Sequence, residues 1–179
     1  MYLRLLRAGL FFFSCAVFLF SCALVGAPRR VVFNEGEFAH YRGSGSSTVA
    51  GQLVVTGEHD GAIHVGNGNY VTLLPVTSYT KEMVDREIGD GEPLASSDPR
   101  LQQFVRLTKT DGAGNFVFDH IPAGEYFVAG LDEWYFGDDA QYQWACEHVT
   151  VGRGQTVRLK LSGNLHHPGR PYLVIWALK

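Results

Sequence analysis

The chain has 179 residues, a formal net charge of −3 and 46% hydrophobic residues, enough for one domain with its own core. Its 15 lysines and arginines are scattered, so there is no basic stripe to track phosphates, and nucleic acid is excluded as an expected partner. Three cysteines cannot make a disulfide framework, and 21 glycines between short strand-like runs favour an all-β sandwich.

Arg4 and Arg7 precede an apolar run over residues 8–20, the charge and length of a secretory signal peptide, with an uncleaved anchor as the alternative. The run ends in Leu19-Phe20-Ser21-Cys22, which resembles the bacterial lipobox, where a small residue precedes a cysteine that receives diacylglycerol and becomes the new N-terminus. Cys22 is the expected lipidation site. Ordinary cleavage after Val25-Gly26-Ala27 is the alternative, with Pro28 as an unfavourable first mature residue. Ala23 rather than aspartate after the cysteine suggests the periplasmic side of the outer membrane in a Gram-negative host. Removing the first 21 of 179 residues leaves 158 and, with two arginines gone, takes the charge from −3 to −5. Cys146 then has no disulfide partner and is expected as a small buried apolar side chain.

Residues 22–47 show little periodicity and end in Gly43-Ser44-Gly45-Ser46-Ser47, a flexible composition, so they are expected to be a tether with Arg29 and Arg30 solvated. Residues 48–56 and 69–76 are expected as strands, separated by Gly-rich loops. Residues 79–104 are longer than a strand connection needs. Within them 80–88 are expected as a short helix capped by Thr80, with Met83, Val84 and Ile88 inward; the excursion either covers one edge of the sheet or carries function. A strand over 104–109 follows.

Residues 110–131, TDGAGNFVFDHIPAGEYFVAGL, begin with turn formers at 111–115. A strand over 115–119 sets Phe116 and Phe118 on one side at period two. Ile121-Pro122-Ala123-Gly124 suits a type I turn, and 125–130 continues as a strand, so the unit is expected to be a β-hairpin. The pattern Thr-Asp-x-x-Gly-x-Phe-x-Phe-x-x-Ile-Pro-Ala-Gly-x-Tyr resembles the hallmark of carboxypeptidase regulatory-like domains, closely over 110–128 and loosely over 49–161; Gly51 and Pro75 also fit. The resemblance implies a single transthyretin-like β-sandwich of seven to eight strands over 48–179. On function it says little, because such domains serve as peptidase companions, surface-protein modules and sugar-binding units. Tyr41-Arg42-Gly43-Ser44 copies the terminal tetrapeptide of the transthyretin-like hydroxyisourate hydrolases, but it stands near the start of the mature chain and is taken as coincidence.

Residues 132–143, DEWYFGDDAQYQ, are expected as an aromatic and acidic loop. Strands are expected at 144–151 and 156–161, the latter with Val157, Leu159 and Leu161 on one face, and a buried final strand at 172–178 after a turn at 164–171.

No His-Glu-x-x-His, Gly-x-Ser-x-Gly or phosphate loop occurs. The His166-His167 pair is read as exposed loop residues, and Asp111 to Asn115 lacks the carboxylates and closing Glu of a calcium loop, so no metal and no cofactor is expected. The candidate ligand or partner surface is Trp134, Tyr135, Phe136, Tyr142 and Trp144. Rings can stack on the apolar side of a sugar, and Asp132, Glu133, Asp138 and Asp139 can accept its hydroxyls; packing over the end of the core is the other role open to the rings. The expected function is a non-catalytic, membrane-anchored cell-envelope lipoprotein that binds an envelope protein or polysaccharide. The alternative is a transthyretin-like small-molecule hydrolase.

Overall fold

The structure is a computed structural model, and it describes residues 30–56, 61–92, 94, 96–136 and 138–163. The signal segment, Cys22 and the strand expected at 172–178 lie outside these. Among the described residues, eight strands form two four-stranded sheets, an all-β sandwich as expected. The first sheet is built on β1 (Ser47–Thr56). Along one edge β1 pairs antiparallel with β5 (Asn115–Ile121) and β2 (Ile63–Val65); along the other it pairs parallel with β8 (Thr156–Gly163). The second sheet is antiparallel, in the order β4 (Arg106–Lys109), β3 (Tyr70–Pro75), β6 (Gly124–Phe136), β7 (Asp139–Val151).

Alternation along the strands decides what enters the core. Val49, Leu53 and Val55 of β1, Phe116 and Phe118 of β5 and Leu161 of β8 face Val71, Leu73 and Val128 of the second sheet, and all are buried. Each such side chain contributes about 1.5–3 kcal/mol on burial. Gly51 lets the neighbouring strands of its own sheet close on β1. A Cβ there would stand 2.5 Å from the Leu159 carbonyl oxygen and 2.6 Å from the Phe116 ring.

The 110–131 unit differs from the expected hairpin. Its first strand is β5, paired with β1, and its second is β6, paired with β3 and β7, so the Pro122 corner carries the chain from one sheet to the other. Period-two patterning identifies a strand but not its neighbour, which is why the two strands read as partners. The corner is closed from outside. The Tyr41 hydroxyl donates to the Glu125 carbonyl at 3.0 Å and accepts from its N–H at 3.3 Å, and its ring fills the space a Cβ on Gly124 would need.

Tyr41 belongs to the stretch expected as tether, which corrects that expectation from Arg30 onward. A short helix, α1 (Glu35–Phe38), capped by the Asn34 side chain, runs into a 3-10 turn (Ala39–Tyr41), and Phe33, Phe38 and Tyr41 are all buried. The Gly/Ser run ending this stretch has flexible composition, but three aromatic anchors upstream outweigh it.

They dock on the 79–104 excursion. Helix α2 (Ser78–Met83) starts at Thr77, not Thr80; the two threonines form a reciprocal capping box, with Thr80 at the third helical position. A π-helical turn (Val84–Gly89) follows, and Met83 and Ile88 point inward as expected. Phe33 stacks on Phe38 with centroids 4.6 Å apart and meets Tyr79 edge-on at 5.4 Å. Arg30, expected in solvent, is an interior latch. Its guanidinium reaches Glu87 at 2.5 Å, Ser97 Oγ at 3.0 Å and the Tyr79 hydroxyl at 3.2 Å, with the two charged side chains 7% and 3% exposed.

Gly51→Ala is expected to destabilise the fold by about 1–3 kcal/mol, because the clash with a neighbouring strand exceeds the small gain from a stiffer unfolded chain; thermal unfolding measures this, and an unchanged midpoint would refute the close-approach argument.

Burial pushes the Glu87 carboxyl above its ordinary range, with the Arg30 charge opposing. A raised folded-state pKa favours the fold most at low pH, and that contribution is lost as pH rises through it, where Arg30 compensates. Arg30→Met is therefore expected to cost about 3–5 kcal/mol near neutral pH and progressively less on acidification, as the stranded carboxyl takes a proton. Urea midpoints across that pH range test it; a deficit independent of pH would count against the buried pair.

Candidate functional site

Strand β6 pairs with β3 only as far as Gly130, opposite Val71, whereas its pairing with β7 continues from Leu131↔Trp144 to Phe136↔Asp139. The stretch expected as an aromatic loop is therefore a two-stranded ribbon running on from the second sheet. Trp, Tyr and Phe at 134–136 are strand formers, and Gly137-Asp138 is a Gly-x dipeptide of the kind that joins two-residue hairpins; the local carboxylates masked this signal.

The register places the candidate residues. Trp134 stands opposite Gln141, Tyr135 opposite Ala140 and Phe136 opposite Asp139. Tyr142 and Trp144 are two apart on β7 and so share a face of the ribbon. Tyr142 is half-buried, and Trp144, 6% exposed, belongs to the core cluster. Of the two roles open to Trp144, the structure places it in packing.

A polar knot fixes the base of the ribbon. The Asn69 amide donates to the Asp132 carboxylate, while Asn69 N–H donates to Thr110 Oγ1 and Thr110 N–H to the Asn69 carbonyl, both at 2.9 Å. Asp132 is 4% exposed, so its carboxylate positions the ribbon and is not open to a sugar hydroxyl. Asp138 is exposed.

Among the described residues, two cavities lie on the outer face of the second sheet. One, about 240 Å3, lies between the π-helical turn and β6–β7, with Val84 and Ile88 on one side and Phe127, Cys146 and His148 on the other. Burial pushes the Cys146 thiol up to about 12, so it stays a neutral, weakly polar side chain and not a thiolate nucleophile. His148 Nε2 is 3.2 Å from Glu125 Oε2 at the surface. Among the described residues no group of three His, Cys, Asp or Glu side chains is placed to hold a metal ion. The second cavity, about 330 Å3, lies between a 3-10 turn (Pro99–Gln103) and β4, and sequence reasoning missed it because it exists only once the excursion folds back on the sheet.

Neither a protein-family model nor a curated protein sequence matches the chain. Among solved structures it is similar to a candidate carbohydrate-binding protein from Pseudomonas aeruginosa, at 28% identity and a TM-score of 0.64, over 76% of this chain and 99% of that one. A weaker likeness, 13% identity and a TM-score of 0.40 over 67% of this chain and 30% of the other, is to the major pilin subunit of Bacillus cereus. The chain thus shares its fold, over nearly the whole of the Pseudomonas protein, with a protein considered for carbohydrate binding.

Proposed function

We propose that the chain is a non-catalytic binding module of the bacterial cell envelope, of the carboxypeptidase regulatory-like kind, anchored through lipid on Cys22 and binding polysaccharide through the aromatic ribbon. The observation that carries the reading is the likeness to the Pseudomonas protein, which spans 99% of that protein and 76% of this chain at a TM-score of 0.64. The ribbon supports it chemically. Five aromatic residues fall within residues 134–144, Tyr142 is only half-buried, and the Asp132 knot holds the ribbon in place before a ligand arrives. A polysaccharide is preferred to an envelope protein because the aromatic residues recur with Asp138 exposed beside them, rings with a hydroxyl acceptor.

Tyr142→Ala and Trp134→Ala are each expected to weaken binding to cell-wall and capsular polysaccharides about fivefold to tenfold, the worth of one stacked ring, while the unfolding midpoint of Tyr142→Ala stays near wild type. Affinity electrophoresis in polysaccharide gels reads both. Retention by envelope proteins but by no polysaccharide would replace the sugar with a protein partner.

Anchoring is tested apart from binding. Cells fed a labelled fatty acid are expected to label the wild-type chain and not Cys22→Ala; a label that survives the substitution sinks the lipid anchor.

A further inference from the structure

We infer that the cavity between the Pro99–Gln103 turn and β4 is a second carbohydrate subsite, shaped for one neutral pyranose ring; the inference rests on the carbohydrate reading above and assigns it a place separate from the ribbon. At about 330 Å3 the cavity falls at the small end of the range of ligand pockets, roughly 300–1,000 Å3. Its lining divides as a sugar does. Leu101, Val105 and Leu107, with Pro99 at the rim, offer an apolar wall for the C–H face of a ring, while Ser97, Asp98 and Gln102 offer polar groups for its hydroxyls.

Those polar groups form a mixed set, which hydroxyls require because each both donates and accepts. Ser97 Oγ already accepts from Arg30 at 3.0 Å, which leaves its own proton free to donate. The exposed Gln102 amide can do either. The Asp98 carboxylate accepts: Arg100 grips it through Nε at 2.9 Å and Nη2 at 2.8 Å, and this bonding holds its pKa down at about 2. It therefore stays ionised at any physiological pH. Arg100 bonds Asp98 and its Nη1 lies 3.9 Å from Glu35, so an acidic sugar would compete with two carboxylates for that cation and would meet Asp98 as a like charge; the site favours a neutral ring.

The wall is fixed from behind. Arg30, itself 93% buried as the complement of its 7% exposure, orients Ser97, and the Asp98 N–H donates to the Tyr79 hydroxyl at 2.7 Å. Little ordering is left for a ligand to impose.

The test titrates the full chain, in detergent, with oligomers of neutral hexose, N-acetylhexosamine and uronic acid, alongside Leu107→Trp, which fills the cavity, and Gln102→Ala, which alters only an exposed side chain. Neutral oligomers are expected to bind at least about tenfold tighter than uronic ones, with Leu107→Trp losing about tenfold or more and Gln102→Ala about threefold to tenfold. Should Leu107→Trp fail to fold, the loss in Gln102→Ala carries the test. Neutral oligomers binding both variants with wild-type affinity would overturn the cavity subsite while leaving carbohydrate binding standing. Tighter binding of uronic oligomers would overturn the neutral-ring assignment. If wild type bound none of the oligomers, the carbohydrate reading and the subsite would fall together.

Discussion

The second sheet is apolar on both faces, and much of the structure follows from that. Leu73 and Val128 point at the first sheet, while Leu74 and Ala129 point the other way, and none of the four is more than 1% exposed. An antiparallel sheet commonly leaves one face to water. This one needs a second cover. The 79–104 excursion supplies part of it, with Met83 and Ile88 turned inward, yet its helices are one or two turns long, too short to hold themselves. Their stability has to come from contacts made elsewhere.

Those contacts are made by residues 30–41, which turns a leader to the domain into part of its shell. Phe33 and Phe38 fill the space against Tyr79 and Phe104, and Arg30 ties the π-helical turn, Tyr79 and Ser97 into one network. A buried ion pair is poor evidence of net stability, because desolvating two charges offsets much of their attraction. What it supplies here is geometry. Three separate pieces of chain are held in place by their bonds to one guanidinium, and the wall of the 330 Å3 cavity is among the things so arranged.

The strands of the sandwich core were legible in the sequence, though β2 was not, because alternation needs only local information: Phe116 with Phe118, and Val157, Leu159 and Leu161, stand as their spacing says. Partnerships were not. Nothing in residues 110–131 marks β5 and β6 as belonging to different sheets, since that is decided by β1 and β3, each more than 30 positions away in the chain. The segment ahead of β1 was misread for a related reason. Its Gly and Ser residues are contiguous and conspicuous, whereas Arg30, Phe33, Phe38 and Tyr41 acquire meaning only through partners between Tyr79 and Glu125. Of the site, the aromatic residues were visible, and their lying on strands and not in a loop was not.

Burial then sorts the polar residues near these surfaces into two kinds. Asp132, chosen from sequence as a hydroxyl acceptor, is spent on Asn69, and the interior end of Arg30 is spent on Glu87. A lone pair or proton that has exchanged water for a protein partner deep in the interior cannot serve a ligand without losing that partner. Recognition is left to polar atoms that keep unused bonding capacity at a rim, as Ser97, Asp98 and Gln102 do beside the 330 Å3 cavity. The buried set and the rim set touch at Ser97 and at the Asp98 backbone, where Arg30 and Tyr79 bond to them. The interactions that cover the sheet are therefore the same ones that hold the rim ready.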